Sequence, residues 1–284
     1  MVYGDLFNGY YRKRVVIFFL LRLKRGIMNS KKVLMVISNE DFDPTETAIP
    51  WMILKREGYQ VVFATPNGKK GAADPIMVTG KGLLFLKYFL KAQSHAEQTY
   101  YKMIEDEGFN SPLKIKDLNV EDYEAVILPG GHAKKMRPYL ESEDLYKFIG
   151  AFSETNKPLA AICHGVLVMA RAKSPTSGKP LLYGRKTTAL PAFMEKSGFY
   201  LTCLWMGKYY LTYDKTEEEE VRESLKNKED WIRGPFSLQK DSEKNLAPGF
   251  VVRDGNYLSA RWPGDIHKFT QTLLDMLQER ANQS

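Results

Sequence analysis

Pro158-Leu159-Ala160-Ala161-Ile162-Cys163-His164-Gly165-Val166-Leu167-Val168-Met169-Ala170 is the stretch on which the fold turns. Residues 158–162 form a short apolar run of the kind that makes a buried strand. Residues 165–170 read as the start of a helix. A strand that passes sharply into a helix holds the residue between them out at the carboxyl end of a sheet, the geometry of a nucleophile elbow. Here that residue is Cys163, and the positive end of the helix is expected to lower its pKa. His164 adds an acid/base group beside it. The competing reading is a buried structural cysteine, since free Cys is among the most buried residue types.

The rest of the chain supplies strands and helices in alternation. Lys31–Ser38 is β-rich and apolar. Asp43, Pro44 and Glu46 then provide an N-cap, a Pro at N1 and an acid at N3, which begin a helix. Gln60–Thr65 is a second strand, so this β-α-β unit implies a parallel, right-handed crossover. Residues 69–120 interrupt the pattern as an insertion that could cap a site, with Leu83–Leu90 and Ala96–Glu107 helical. Alternation resumes with strand Ala125–Leu128, the turn Pro129–His132 and helix Asp144–Thr155. The elbow follows, and then a strand at Thr187–Leu190. A second irregular stretch, 200–247, contains the acidic run Glu217–Glu220, read as a solvated helix start. Phe250–Arg253 and Tyr257–Ala260 flank the hairpin signal Asp254-Gly255-Asn256. The last helix runs from Gly264 to Arg280. The expectation is one α/β domain: a three-layer αβα sandwich with a flavodoxin-like, mostly parallel sheet, a nucleophile elbow and two insertions.

Composition narrows the function. The 284 residues are 44% hydrophobic and 26% charged, which is ordinary for a globular protein. The formal charge is +7. Residues 1–27 hold six basic residues and one acid, which leaves 35 basic against 33 acidic residues elsewhere. The basic excess is therefore an N-terminal property, and no nucleic-acid partner is expected for the body. Arg12-Lys13-Arg14 precede the apolar run Val15–Leu21, which is too short to span a bilayer. The domain is expected to start near Met28, with residues 1–27 a dispensable extension or the product of an upstream start codon; weak membrane adhesion of that segment is the lesser alternative. Two cysteines, Cys163 and Cys203, make no disulfide framework, so a cytoplasmic location is expected. Cys203 lies in a β-like apolar stretch and reads as structural.

Three strand-end loops carry the chemistry. Asp43-Pro44-Thr45-Glu46-Thr47-Ala48-Ile49-Pro50, Leu128-Pro129-Gly130-Gly131-His132 and Ala161-Ile162-Cys163-His164-Gly165, in that order, resemble the ThiJ/PfpI superfamily over residues 31 to 278. The Pro-Gly-Gly-His turn and the long insertion are most similar to its chaperone/glyoxalase III branch. The resemblance implies that Cys163 is the nucleophile, Glu46 the acid beside its sulfur, and His164 a base or orienting group. It also implies that the backbone N–H groups of Gly131 and His164 serve a developing oxyanion. Taken alone, Glu46 at N3 would read as a capping device, and His132 reads as a loop residue. The third acid departs from the family pattern: Ala192 stands where an Asp is expected. Glu195, one helical turn on, is the candidate replacement, unless an acid comes from another subunit.

Some relatives suggest a metal, but His95 and Glu97 are two apart and face different directions on a helix. No metal is expected. No phosphate-binding Gly-rich loop is present, so no nucleotide cofactor is expected either. The first functional expectation is a cofactor-independent enzyme acting on a small-molecule carbonyl substrate, converting 2-oxoaldehydes such as methylglyoxal to 2-hydroxy acids, or a related deglycase. A thiol amidase or peptidase is the rival enzyme class. A stress-related chaperone or redox sensor is the non-enzymatic alternative. A homodimer is the expected assembly.

Overall fold

The computed structural model describes residues 31–283. The extension read at residues 1–27 lies outside the described residues. Strands β1 (Lys32–Val36), β3 (Gln60–Thr65), β5 (Leu113–Lys114), β6 (Ala125–Leu128), β7 (Leu159–Ile162), β8 (Val251–Asp254) and β9 (Tyr257–Ala260) form one seven-stranded sheet in the order β5-β3-β1-β6-β7-β9-β8. All neighbours run parallel except the β8–β9 hairpin. β2 (Glu40–Phe42) and β4 (Ala72–Ala73) make a separate two-stranded sheet. Every residue of β6, β7 and β9 is buried, as expected for central parallel strands covered on both faces.

The helices that position the site are α1 (Pro44–Arg56), α2 (Ser94–Met103), α3 (Glu143–Ser153), α4 (Val166–Arg171), α5 (Ala192–Met206), α6 (Glu217–Ser224) and α7 (Ile266–Ala281). α1 packs with α2 and α7, while α4 packs with α3 and α6, giving a helical layer on each side of a flavodoxin-like sheet. α1 begins where its sequence says it should. The Asp43 carboxylate accepts the N–H groups of Thr45 and Glu46 at 2.8 and 3.0 Å, and Pro44 occupies the first turn.

Four expectations need correction. Thr187–Leu190 is not a strand of the sheet. Residue 187 makes one isolated bridge to Trp231, because β9 takes the place beside β7. Cys203 is helical: residues 200–206 complete α5 rather than opening an irregular stretch. Glu195, Gly198 and Thr202 are the buried positions of that helix, a 3/4 spacing hidden by exposed Leu201, Leu204 and Trp205. Leu83–Leu90 folds as a 3₁₀ turn (Leu84–Leu86) followed by the short helix Lys87–Leu90. Ala96–Glu107 divides, since the Asp106 side chain caps a second short helix, Glu107–Asn110.

Candidate active site

Cys163 sits between β7 and the 3₁₀ turn Cys163–Gly165 that leads into α4, with a positive φ of 50°. That region costs a non-glycine residue about 1–3 kcal/mol and persists only where the surroundings enforce it. Two glycines show how tightly they do. A Cβ on Gly165 would lie 2.0 Å from the Leu128 carbonyl oxygen, and one on Gly130 would lie 2.6 Å from the His164 nitrogen. The Pro129–His132 turn therefore presses directly against the elbow.

The thiol is 6% exposed. Its Sγ lies 3.5 Å from His164 Nδ1. The expected lowering of its pKa is overturned. Burial pushes the thiol well up, Glu46 and Glu217 push it further, and the His164 N–H offsets only part of this. The start of a six-residue helix cannot outweigh desolvation in a site lined with carboxyl groups.

Glu46 is fully buried. Its Oε2 accepts the Gly130 N–H at 2.7 Å. No capping box forms, because the Asp43 N–H donates to the Gly130 carbonyl at 2.9 Å instead. Glu46 is thus released from helix capping, and its Oε1 is buried without a hydrogen-bond partner among the described residues. Burial, then the neighbouring Asp43, raises its pKa well above the usual carboxylate range. Asp43 itself is pushed up to about 6 by burial, against the N–H groups of Glu46 and Thr45.

His164 is buried, and burial holds its pKa down at about 3. The imidazole is therefore neutral near neutral pH. Nδ1 lies 3.3 Å from Glu217 Oε2, and Nε2 lies 3.8 Å from Glu195 Oε1. The structure places Glu195, the candidate replacement acid, near the histidine. Burial pushes Glu195 up to about 7, and its Oε2 accepts the Glu217 N–H at 3.0 Å.

Glu217 is the residue that the sequence reading missed. The run Glu217–Glu220 is not one solvated face but four different attachments. Glu217, at N1 of α6, is buried against His164, with its pKa raised well above the usual range by burial and then by Glu195. Glu218 accepts the Ala192 N–H at 2.9 Å, at the very position where an Asp was expected. Glu219 closes a capping box with Thr216. Glu220 takes a bidentate pair from Arg171, at 2.6 and 2.9 Å. The signal in the sequence was Thr216 followed by Glu219 three residues on, which fixes the helix start and so marks Glu217 as N1.

The Gly131 N–H donates to no acceptor among the described residues. His132 lies in a loop, as expected. Its ring stacks on Tyr210 with centroids 4.4 Å apart and meets Tyr209 edge-on at 5.0 Å. Among the described residues, His95 and Glu97 join no ligand cluster. Among the described residues, the group whose donor atoms could surround a cation is Cys163, His164 and Glu217, within 4.8 Å of one another.

A model of the ThiJ/PfpI family-like proteins matches residues 37–235. The chain is 24% identical to a deglycase of Pyrococcus abyssi (strain GE5 / Orsay) over 245 residues, covering 86% of this chain and 98% of the relative. It is 26% identical to glyoxalase 3 of Candida albicans over 147 residues, covering 50% of this chain and 57% of the relative. The crystal structure of glyoxalase III from Candida albicans superposes with a TM-score of 0.63 at 20% identity, covering 87% of this chain and 97% of that one. The matched residues start just after β1 and take in the elbow and α6, and the chain belongs to the ThiJ/PfpI family.

Proposed function

We propose that this chain is a cofactor-independent cysteine enzyme that converts small 2-oxoaldehydes to 2-hydroxy acids in the manner of glyoxalase III. The observation that carries the reading is the thiol held at a strained elbow between the Glu46 carboxyl and the His164 ring, with backbone N–H groups beside it. Relatives named glyoxalase or deglycase, at 24–27% identity, support it.

In the proposed sequence the Cys163 sulfur adds to the aldehyde carbon as its proton passes to Glu46. The Gly131 and His164 N–H groups hold the oxygen as it gains charge. Glu46 gives that proton to the former aldehyde oxygen, then removes the hydrogen from the sulfur-bearing carbon and returns it to the adjacent carbonyl carbon, while the hydroxyl proton of the first carbon passes to the oxygen of the second. This converts the hemithioacetal to a thioester of the 2-hydroxy acid without a net change of oxidation state. Water cleaves the thioester and restores the thiol. Glu46 is the better shuttle, because burial raises its affinity for a proton, whereas burial lowers that of His164 to a pKa of about 3. His164, held between Glu217 and Glu195, orients the thiol. A thiol only 6% exposed favours a small substrate over a polypeptide.

The test is turnover of methylglyoxal and of aminoacyl amides by the purified chain and by Cys163→Ala. Conversion of methylglyoxal to lactate, lost by roughly 10⁴-fold or more in the variant, is the expected result. Cleavage of the amides with methylglyoxal untouched would replace this reading by the amidase.

A further inference from the structure

The two insertions meet away from the sheet in a small apolar cluster of their own. Met77, Leu83 and Tyr210 form its buried centre. The Trp205 indole N–H donates to the Gly82 carbonyl at 2.9 Å and ties the end of α5 to the 82–90 segment. On the outside of this cluster the side chains face water. Phe85, Tyr88 and Phe89 are 69–79% exposed, Tyr200 is 70%, and Leu204 is 94%. Isolated exposed apolar residues need no explanation, but a group contributed by two joined segments marks an interaction surface.

Its charge identifies the partner. Residues 80–93 and 196–213 contain Lys81, Lys87, Lys91, Lys196 and Lys208, and no aspartate or glutamate. Lys91, Lys196 and Lys208 are paired with acids from outside these segments, while Lys81 and Lys87 make no ion pair among the described residues. A second copy of this chain seated on the patch by two-fold symmetry would bring the same lysines and no carboxylate from these segments to meet Lys81 and Lys87. The segment 12–25 is also basic and apolar, so it too lacks the opposite charge. A surface that combines apolar depth with negative charge is an anionic bilayer. Aromatic rings settle at its headgroup level, and lysines place their stems along the apolar layer with the ammonium at the phosphates. No described helix is long and apolar enough to cross a membrane, which agrees with docking on the surface rather than insertion through it.

We infer that the aromatic and lysine face formed by residues 81–91 and 196–208 docks this protein on anionic lipid bilayers. The face lies next to the site. Tyr209 and Tyr210, on its inner side, pack on His132, the residue after Gly131. The inference does not depend on the reaction proposed above.

The test is co-sedimentation of the full chain with phosphatidylcholine vesicles, and with vesicles that also contain phosphatidylserine. Binding to the phosphatidylserine vesicles that weakens with salt is expected. Phe85→Ser with Phe89→Ser and Leu204→Ser should lower it at least ~10-fold, with an unchanged unfolding midpoint because these side chains are exposed. If that variant fails to fold, Lys81→Glu with Lys87→Glu decides, and should cost roughly 10-fold or more. Wild-type binding by either folded variant, or no binding by the parent chain, would overturn the inference. So would a dimer dissolved by the serine substitutions in a chain that ignores vesicles, which would show that a second copy covers the face.

Discussion

Two helix starts face the same thiol and solve the same problem differently. At α1, Asp43 does the capping and the Glu at N3 is left over, so Glu46 turns inward to Gly130 and Cys163. At α6 the Glu at N3, Glu219, is the one used for capping, and the Glu at N1, Glu217, turns inward to His164. Both inward carboxyls are buried, and both have pKa values raised well above the usual range. In each case, local capping needs decide which glutamate is left for chemistry. A helix start rich in acids supplies more carboxylates than its N–H groups require, and the surplus is available to a site.

The comparison breaks first at Glu46. Glu46→Gln can still accept the Gly130 N–H, so the unfolding midpoint should barely move. Turnover should fall roughly 10²–10⁴-fold, the usual contribution of general acid–base catalysis. The pH profile sharpens this. A base with a raised pKa is disarmed as pH falls, at a higher pH than an ordinary carboxylate would be. The parent's acid limb should therefore lie above the usual carboxylate range and vanish in the variant. Parental turnover from folded Glu46→Gln would remove Glu46 from the reaction.

Glu217→Gln and Glu219→Gln test the other helix. If Glu217, whose Oε2 lies 3.3 Å from His164 Nδ1, positions that ring rather than touching substrate, its loss should lower kcat by roughly 10–100-fold, with KM little changed. The same replacement at Glu219, where Gln also serves a capping box, should leave kcat unchanged and cost a few tenths of a kcal/mol at most. Equal effects at the two positions would mean that Glu217 acts only through helix stability.

Glu195 offers a stability measurement with a defined sign. Its pKa is pushed from 4.5 up to about 7, so the native state holds its proton where the unfolded chain has lost it. The stability that this proton confers is complete below about 4.5, falls as pH rises, and is gone above about 7. Glu195→Gln stays neutral and can keep the bond from the Glu217 N–H. Its stability relative to the parent should therefore grow as pH rises across that window, by at most about 3 kcal/mol. Denaturant unfolding at several pH values would show this, and a constant difference would indicate that Glu195 is ionised throughout.

The smallest effect concerns the two thiols. Cys163 is buried with a raised pKa, while Cys203 is partly exposed on α5. Iodoacetamide near neutral pH should label Cys203 first, reversing the order that a helix-start argument alone predicts. Faster labelling of Cys163 would show that the elbow helix does dominate its environment.

The three strand-end loops and the parallel sheet were legible because each has a local cause. Residues 158–162 are continuously apolar, Asp43 and Pro44 form a cap, and Gly130, Gly131 and Gly165 permit tight turns. Local rules therefore placed Cys163, His164 and Glu46 at the carboxyl end of the sheet. The residues around 187–190 look like a strand by the same rules, yet β9 outcompetes them for the place beside β7, a contest between segments 70 residues apart. Glu217 was hidden for the same reason. An acidic run at a helix start is solvated by default, and only the packing of α6 on α4 buries its first member against His164. The sign of the Cys163 shift likewise depends on burial and on carboxyl groups from two separate helix starts, Glu46 and Asp43 at α1 and Glu217 at α6. The sequence by itself determined the elements and the elbow that carries Cys163, because strand, cap and turn are set by neighbouring residues. The tertiary structure alone decided which acids enter the site and how the thiol ionises, because burial and Coulomb interactions follow distance in space rather than along the chain.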